Sequence, residues 1–326
     1  MPPTAPAQAS SEALVERQAY ADNQQKLAVV VLITRFHYKG HDRIERLRAT
    51  IRLAEKHLLP TTPYALYVFT RRQALLRLRE GLTGLLAPHM YVLPVPPESW
   101  VLPEAASNKS TWHGYWGQSY RQMGDWRLGF MGAFACDRGH RYVLQMDDDS
   151  YITGPVGPNL VELFDRGGHQ LGAQRIKTDP PLVTGLPELV RYFLMAYQLQ
   201  PATLFKHCDP PSMAGLYSSI NETWPDNKEL EPAATLFSVP THGGWDRTVL
   251  NGNFVMISLD FWFQPLAFIQ LCRASGGAVM YRWNEQAVLG MVSQIFVAEQ
   301  GLYNFTFPFM HRASPRDALR AGGLSP

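Results

Sequence analysis

The chain has 326 residues, a formal net charge of +2, 46% hydrophobic residues and 12% aromatic ones. Those values fit one large or two small packed α/β units and exclude a general nucleic-acid binder, because no long basic run accompanies the near-neutral charge. No apolar stretch reaches the roughly 18 residues that a membrane-spanning helix needs.

Residues 1–26 are rich in Pro, Ala and Gln and read as a flexible leader without the apolar core of a signal peptide. Residues 27–326 read as a single domain. The run KLAVVVLITRF (26–36) is apolar throughout, as a strand buried on both faces requires. In RIERLRATIRLAEKHLL (43–59), Ile44, Leu47, Ile51 and Leu58 recur at helical spacing, and Pro60 ends the pattern. YALYVFT (64–70) predicts a second strand, residues 71–88 a second helix, and MYVLPV (90–95) a third strand. Such alternation predicts a largely parallel sheet with helices on both faces. A Pro- and Trp-rich loop follows, and residues 119–136 then form one helix leading into a strand at Tyr142–Leu144. Beyond Pro155 the expected elements are helices at 186–201, 265–277 and 284–297 and a strand within LNGNFVMISLDFW, with 207–247 irregular.

Cys136, Cys208 and Cys272 are too far apart for a CxxC or zinc pattern and allow at most one disulfide. Sequons begin at Asn108, Asn221 and Asn304. No P-loop, dinucleotide fingerprint or GxSxG nucleophile motif is present.

Three carboxylates, Asp147, Asp148 and Asp149, stand where the strand beginning at Tyr142 should end. Ligands of open α/β sheets gather at the carboxyl ends of strands, and a D-x-D pair there can hold Mn²⁺ or Mg²⁺ against a diphosphate. A solvated acidic turn is the competing reading.

The run GYWGQSYRQMGDWRLGFMGAF (114–134) followed by YVLQMDDDSYI resembles the fungal α-1,2-mannosyltransferases of glycoprotein and cell-wall mannan synthesis. Ser119, Tyr120, Arg121, Met123, Gly129 and Phe130 match that family's pattern, and Asp147 and Asp149 stand for its Glu-Pro-Asp. PPESW (96–100), NGNFVMISLDFW and ASGGAVMYRWNEQAV resemble further family segments in the same order, so the likeness spans about residues 27–310. The resemblance implies a GT-A glycosyltransferase fold, a single Rossmann-like α/β domain with a mixed, mostly parallel central sheet. It also implies a retaining, Mn²⁺-dependent (or Mg²⁺-dependent) transfer of a sugar, mannose first, from a nucleotide-sugar donor such as GDP-mannose to a glycan or glycoconjugate hydroxyl.

Residue by residue, the resemblance implies that Asp147 and Asp149 hold the metal and diphosphate while Asp148 points away. Arg35, Tyr120 and Arg121 line the donor site, with Arg121 offering its planar fork to phosphate. Asn253 hydrogen-bonds sugar hydroxyls, and Glu285 orients the acceptor or stabilises the sugar. Two positions depart from the pattern. The carboxylate that follows Asn-Phe in the family is Val255 here, and the family's metal-binding His aligns with Leu289. His311 is the expected substitute ligand, with Mn²⁺ binding weakening below about pH 6 as an ordinary imidazole protonates. Asp149→Ala is expected to abolish metal-dependent nucleotide binding with the melting temperature nearly unchanged.

The departures leave a second class open: a non-catalytic carbohydrate- or nucleotide-binding module with Trp112, His113, Tyr115 and Trp116 as stacking surfaces. A retaining transferase using another sugar donor is a third reading. Without an anchor the chain is expected in the cytoplasm, with the Golgi lumen of the fungal relatives as the alternative if an anchor lies outside it.

Overall fold

The computed structural model describes residues 26–38, 41–109, 112, 117–178, 184–218 and 243–325. The expected leader therefore lies outside the described residues, apart from exposed Lys26, as do His113, Tyr115, Trp116 and the sequon at Asn221.

Seven strands form the central sheet. In chain order they are β1 (Leu27–Ile33), β2 (Tyr64–Thr70), β3 (Met90–Pro94), β4 (Tyr142–Met146), β5 (Leu171–Ala173), β6 (Phe254–Ser258) and β7 (Leu302–Asn304). Their spatial order is β7-β5-β6-β4-β1-β2-β3. β6 runs antiparallel to both β4 and β5, while the other pairs are parallel. β1, β2 and β3 proceed to one edge, and the chain then returns to lay β4 on the other side of β1. That reversal makes β1 and β4 the topological switch point, so a crevice opens at their carboxyl ends.

The continuous apolar runs of β1 and β2 are fully buried because both sheet faces are covered. Alternate residues divide between two cores. Leu27, Val29, Val31, Leu144, Met146 and Phe254 pack with Leu47 and Ile51 of α1 (Arg43–His57). Ala28, Val30, Val143, Val255 and Ile257 pack on the opposite face with Trp126, Leu128 and Met131 and with Ala287, Val288 and Leu289. Helix α1 starts where Asp42 caps the amides of Ile44 and Glu45.

Two helices and two strands differ from the sequence expectation. The helix expected over 71–88 is a single 3₁₀ turn followed by Leu75–Gly81, and Gly84 at φ +80° leaves the helical region. The helix expected over 119–136 is α2 (Gln118–Trp126), then a π-helical stretch Arg127–Met131, then Gly132–Asp137. Strands β5 and β7, of three residues each, are too short to leave a readable period. The three cysteines are free thiols. No helix among the described residues is long and apolar enough to cross a membrane.

Candidate functional site

The Asp-Asp-Asp run begins one residue after β4 ends. Pleating carries Asp147 towards the side of the sheet faced by α2 and the π-helical stretch, and Asp148 towards α1. Each carboxylate meets its own arginine. The Asp148 carboxylate accepts from both Nε and Nη2 of Arg43 and is 1% exposed. Asp149 Oδ2 accepts from Arg46 Nη1 at 2.8 Å. Asp147 Oδ1 accepts from Arg127 Nη2. The run is therefore an ion-pair cluster in which Asp148 faces α1 and Arg43 also comes within 3.7 Å of Asp149.

The second oxygens of Asp147 and Asp149 converge on His311. Its Nε2 lies 3.6 Å from Asp147 Oδ2 and 3.3 Å from Asp149 Oδ1. His311 arrives by strand pairing: Phe309–His311 runs antiparallel to Ser150–Ile152, with His311 opposite Ser150. The amide of Arg312 also donates to the Asp149 carbonyl. One ligand atom from each of Asp147, Asp149 and His311 lies within 4.8 Å of the others, so the three can hold a metal ion.

The electrostatics follow from this crowding. Burial opposes ionisation of Asp147, but the Arg127 guanidinium outweighs it, with His311 adding, and the pKa is held well below the ordinary carboxylate range. Asp149 is likewise lowered against burial, chiefly by its hydrogen bond with His311. Burial would lower the His311 pKa, yet hydrogen bonds to both carboxylates push it up to about 9. The competition between proton and metal expected near pH 6 therefore moves up with it. The residues suit a hard divalent cation: two ionised carboxylates and an imidazole whose proton such an ion would displace.

Arg127 is the member of this candidate site that sequence reasoning missed. It is 3% exposed and bridges two carboxylates, donating Nη1 to Glu285 Oε1 at 2.6 Å and Nη2 to Asp147. Glu285 is the first residue of α3 (Glu285–Phe296), 2% exposed and capped by Asn284. The bridging guanidinium sits on the π-helical stretch, a widening often found at functional sites. Its signal in the sequence is a charged residue among Trp126, Leu128 and Met131, all buried.

The remaining expected residues divide. Arg35 is exposed two residues beyond β1, and a Cβ on Gly117 at the start of α2 would lie 3.7 Å from its Nη2. Tyr120 is half-buried beneath the Arg282 guanidinium, 5.9 Å from its ring centroid; burial, opposed by Arg282, raises its pKa. Asn253 is 2% exposed, and its backbone carbonyl accepts from the Asp147 amide and Ser150 Oγ. Arg121, expected to offer its fork to a phosphate, is engaged by Nη1 with the backbone of a neighbouring segment. Arg121 is 2% exposed, its Nη1 donates to the carbonyls of Val279 and Met280, and its guanidinium stacks 5.5 Å from Trp112. Arg121 ties α2 to the turn before α3. Val255 and Leu289 belong to one apolar cluster at 0% and 2% exposure.

Solved structures share this architecture. Core-mannan synthase A of Aspergillus fumigatus, in its Mn/GDP form, superposes with a TM-score of 0.69 over 90% of this chain and 77% of that one, at 17% identity. The S. cerevisiae mannosyltransferase Ktr4p superposes at 0.66 over 94% and 83%, at 14% identity. Its complex with GDP gives 0.65 over 95% and 82%, also at 14% identity. The chain has the GT-A glycosyltransferase fold. No family model and no curated protein matches the sequence.

Proposed function

We propose that this chain is a metal-dependent retaining glycosyltransferase that moves a sugar, mannose first, from a nucleotide-sugar donor such as GDP-mannose to a hydroxyl of a glycan or glycoconjugate. The observation that carries the reading is the convergence of Asp147, Asp149 and His311 at the switch-point crevice of a GT-A fold. Asp147, Asp149 and His311 would hold Mn²⁺ or Mg²⁺, which supplies charge stabilisation for the departing diphosphate. Arg35, exposed two residues beyond β1, would meet the nucleotide or its phosphates. Tyr120, which feels the Glu285 charge, and Glu285 itself would act on the sugar or acceptor beside the metal. Arg127 fixes Glu285 and Asp147 against one guanidinium, so neither carboxylate can swing away.

The protein offers no side chain at residue 255 that could attack the anomeric carbon, because Val255 is fully buried and apolar. Retention is then reached on one face of the sugar. The acceptor hydroxyl oxygen bonds to the anomeric carbon as the bond to the diphosphate oxygen breaks, and that oxygen takes the hydroxyl proton. The residues named above orient the partners and stabilise the charge that develops. The superposed Aspergillus enzyme is in a Mn/GDP form and the yeast enzyme is in complex with GDP, which favours testing guanine nucleotides first.

The experiment is titration of the full chain with GDP and GDP-mannose, with Mn²⁺ and with chelator, followed by assay of donor hydrolysis. Tight binding that requires Mn²⁺, with slow release of nucleoside diphosphate, supports the reading. Binding indifferent to Mn²⁺ and to Asp147→Asn removes its basis. Binding without any donor hydrolysis or transfer points to the non-catalytic module instead.

A further inference from the structure

Near Asp147, three buried amide oxygens have no hydrogen-bond donor among the described residues. They are Gln145 Oε1, Asn253 Oδ1 and Gln286 Oε1. Gln145 and Asn253 are 1% and 2% exposed, and Gln286 is half-buried. An acceptor withdrawn from water without a partner is unfavourable, and native structures leave few of them unless a ligand or ordered water completes the bond.

The residues that carry the three oxygens meet around Gly252 and Asn253, and the fold explains why. Val255 pairs with Gln145 and Phe254 with Met146 across the β4–β6 ladder, which continues to Asp147 and Asn253 through the Asp147 amide. Phe254 and Met146 point to the α1 core, whereas Val255 points to the other. Alternation therefore puts the side chains of Gln145, Asn253 and Asp147 on the Val255 face. Gly252, next to Asn253, brings the first turn of α3 onto that face. A Cβ at Gly252 would lie 2.8 Å from Glu285 Oε1, 2.9 Å from Gln286 Cγ and 3.0 Å from Gln145 Nε2. Gln145 Nε2 donates to the Gly252 carbonyl, which identifies the unpartnered end of that amide as oxygen.

We infer that Gln145, Asn253 and Gln286 form the set that reads the hydroxyls of the transferred glycosyl group, an inference that rests on the transferase reading above. Three neutral carbonyl acceptors beside the Glu285 carboxylate are matched by the O–H donors of an uncharged, polyhydroxylated sugar. A site built to accept from a hydroxyl rejects analogues that lack it, since its own oxygen is then left unpaired. The set sits next to Asp147, whose carboxylate is a quarter exposed and faces His311, so the sugar and the diphosphate would lie in adjacent parts of one crevice.

The test measures the affinity that the sugar adds to the nucleotide. Calorimetry on the full chain with Mn²⁺ compares GDP-mannose with GDP and UDP-glucose with UDP, for the wild type and for Gln286→Met and Asn253→Ala. Gln286→Met keeps side-chain length and helix propensity but has no carbonyl, and at a half-buried helix position it leaves the fold intact. In each variant the intact donor should lose roughly tenfold in affinity while the matching diphosphate stays within about twofold. Monodeoxy donors should bind the wild type more weakly than the parent sugar, and Gln286→Met should lose that discrimination for one position. A sugar that adds no affinity in the wild type, or a donor-to-diphosphate ratio unchanged in both variants, overturns the assignment alone. Failure of every nucleotide to bind the wild-type chain overturns the transferase reading and this assignment together.

Discussion

Asp149→Ala separates a metal ligand from a structural ion pair. Viewed as a ligand at a strand end, Asp149 should be removable without consequence for the free protein. The structure argues otherwise. Asp149 is 3% exposed, and the Arg46 guanidinium that it binds at 2.8 Å is 7% exposed. Arg43 Nη1 lies a further 3.7 Å from the same oxygen. Removing the carboxylate leaves Arg46 buried without it, and breaking one partner of such a pair costs about 3–5 kcal/mol. Unfolding entropy near 2.1 cal/mol/K per residue turns that loss into a fall of roughly 5–9 °C in Tm for the roughly 260 described residues. Scanning calorimetry in chelator reads the metal-free protein directly. Asp149→Asn, which keeps an acceptor for Arg46, should fall less. Asp149→Leu with Arg46→Leu should recover much of the loss while metal-dependent nucleotide binding stays abolished. A Tm for Asp149→Ala within about 1 °C of the wild type would refute the reasoning.

The remaining expectations concern the same cluster. His311 has a folded pKa of about 9 against an ordinary 6.5, so its stabilising effect in the metal-free protein is complete below pH 6.5 and lost as pH rises through 9. His311→Gln should remove that slope from a Tm-against-pH series. Mn²⁺ must displace the same proton, so its affinity should rise across that window; an affinity flat from pH 6.5 to 9 would count against His311 as a ligand. Arg127→Met should leave Glu285 and Asp147 as adjacent buried carboxylates, lowering stability by about 3–5 kcal/mol, with Arg127→Lys intermediate because an ammonium cannot fork across both. Glu285→Gln should slow transfer roughly 10²–10³-fold while donor binding persists. Mass spectrometry of the wild type with donor should find no sugar adduct, and the product should keep the donor's anomeric configuration; a trapped adduct or an inverted product would contradict the single-face mechanism.

The sequence alone determined the elements whose patterns are long and apolar. β1 and β2 are legible because burial on both faces demands unbroken Val, Ile, Leu and aromatic residues, and α1 because its apolar stripe recurs over four turns. The position of Asp147 and Asp149 at a strand end was legible for a related reason, since β4 opens on the apolar run Tyr142–Leu144. Three-residue strands such as β5 and β7 carry no period, and an antiparallel β6 has the same local pattern as a parallel one. Tertiary structure decided what the acidic run does. Arg43 and Arg46 reach it from α1, Arg127 from a π-helical stretch, and His311 from a strand laid beside Ser150, more than 100 residues away in sequence for the first two and 161 for the last. No local spacing encodes those meetings, because charge pairing acts through space once packing has brought the segments together. A sequence can place carboxylates at the end of a strand; only the packed chain decides which cation each one faces.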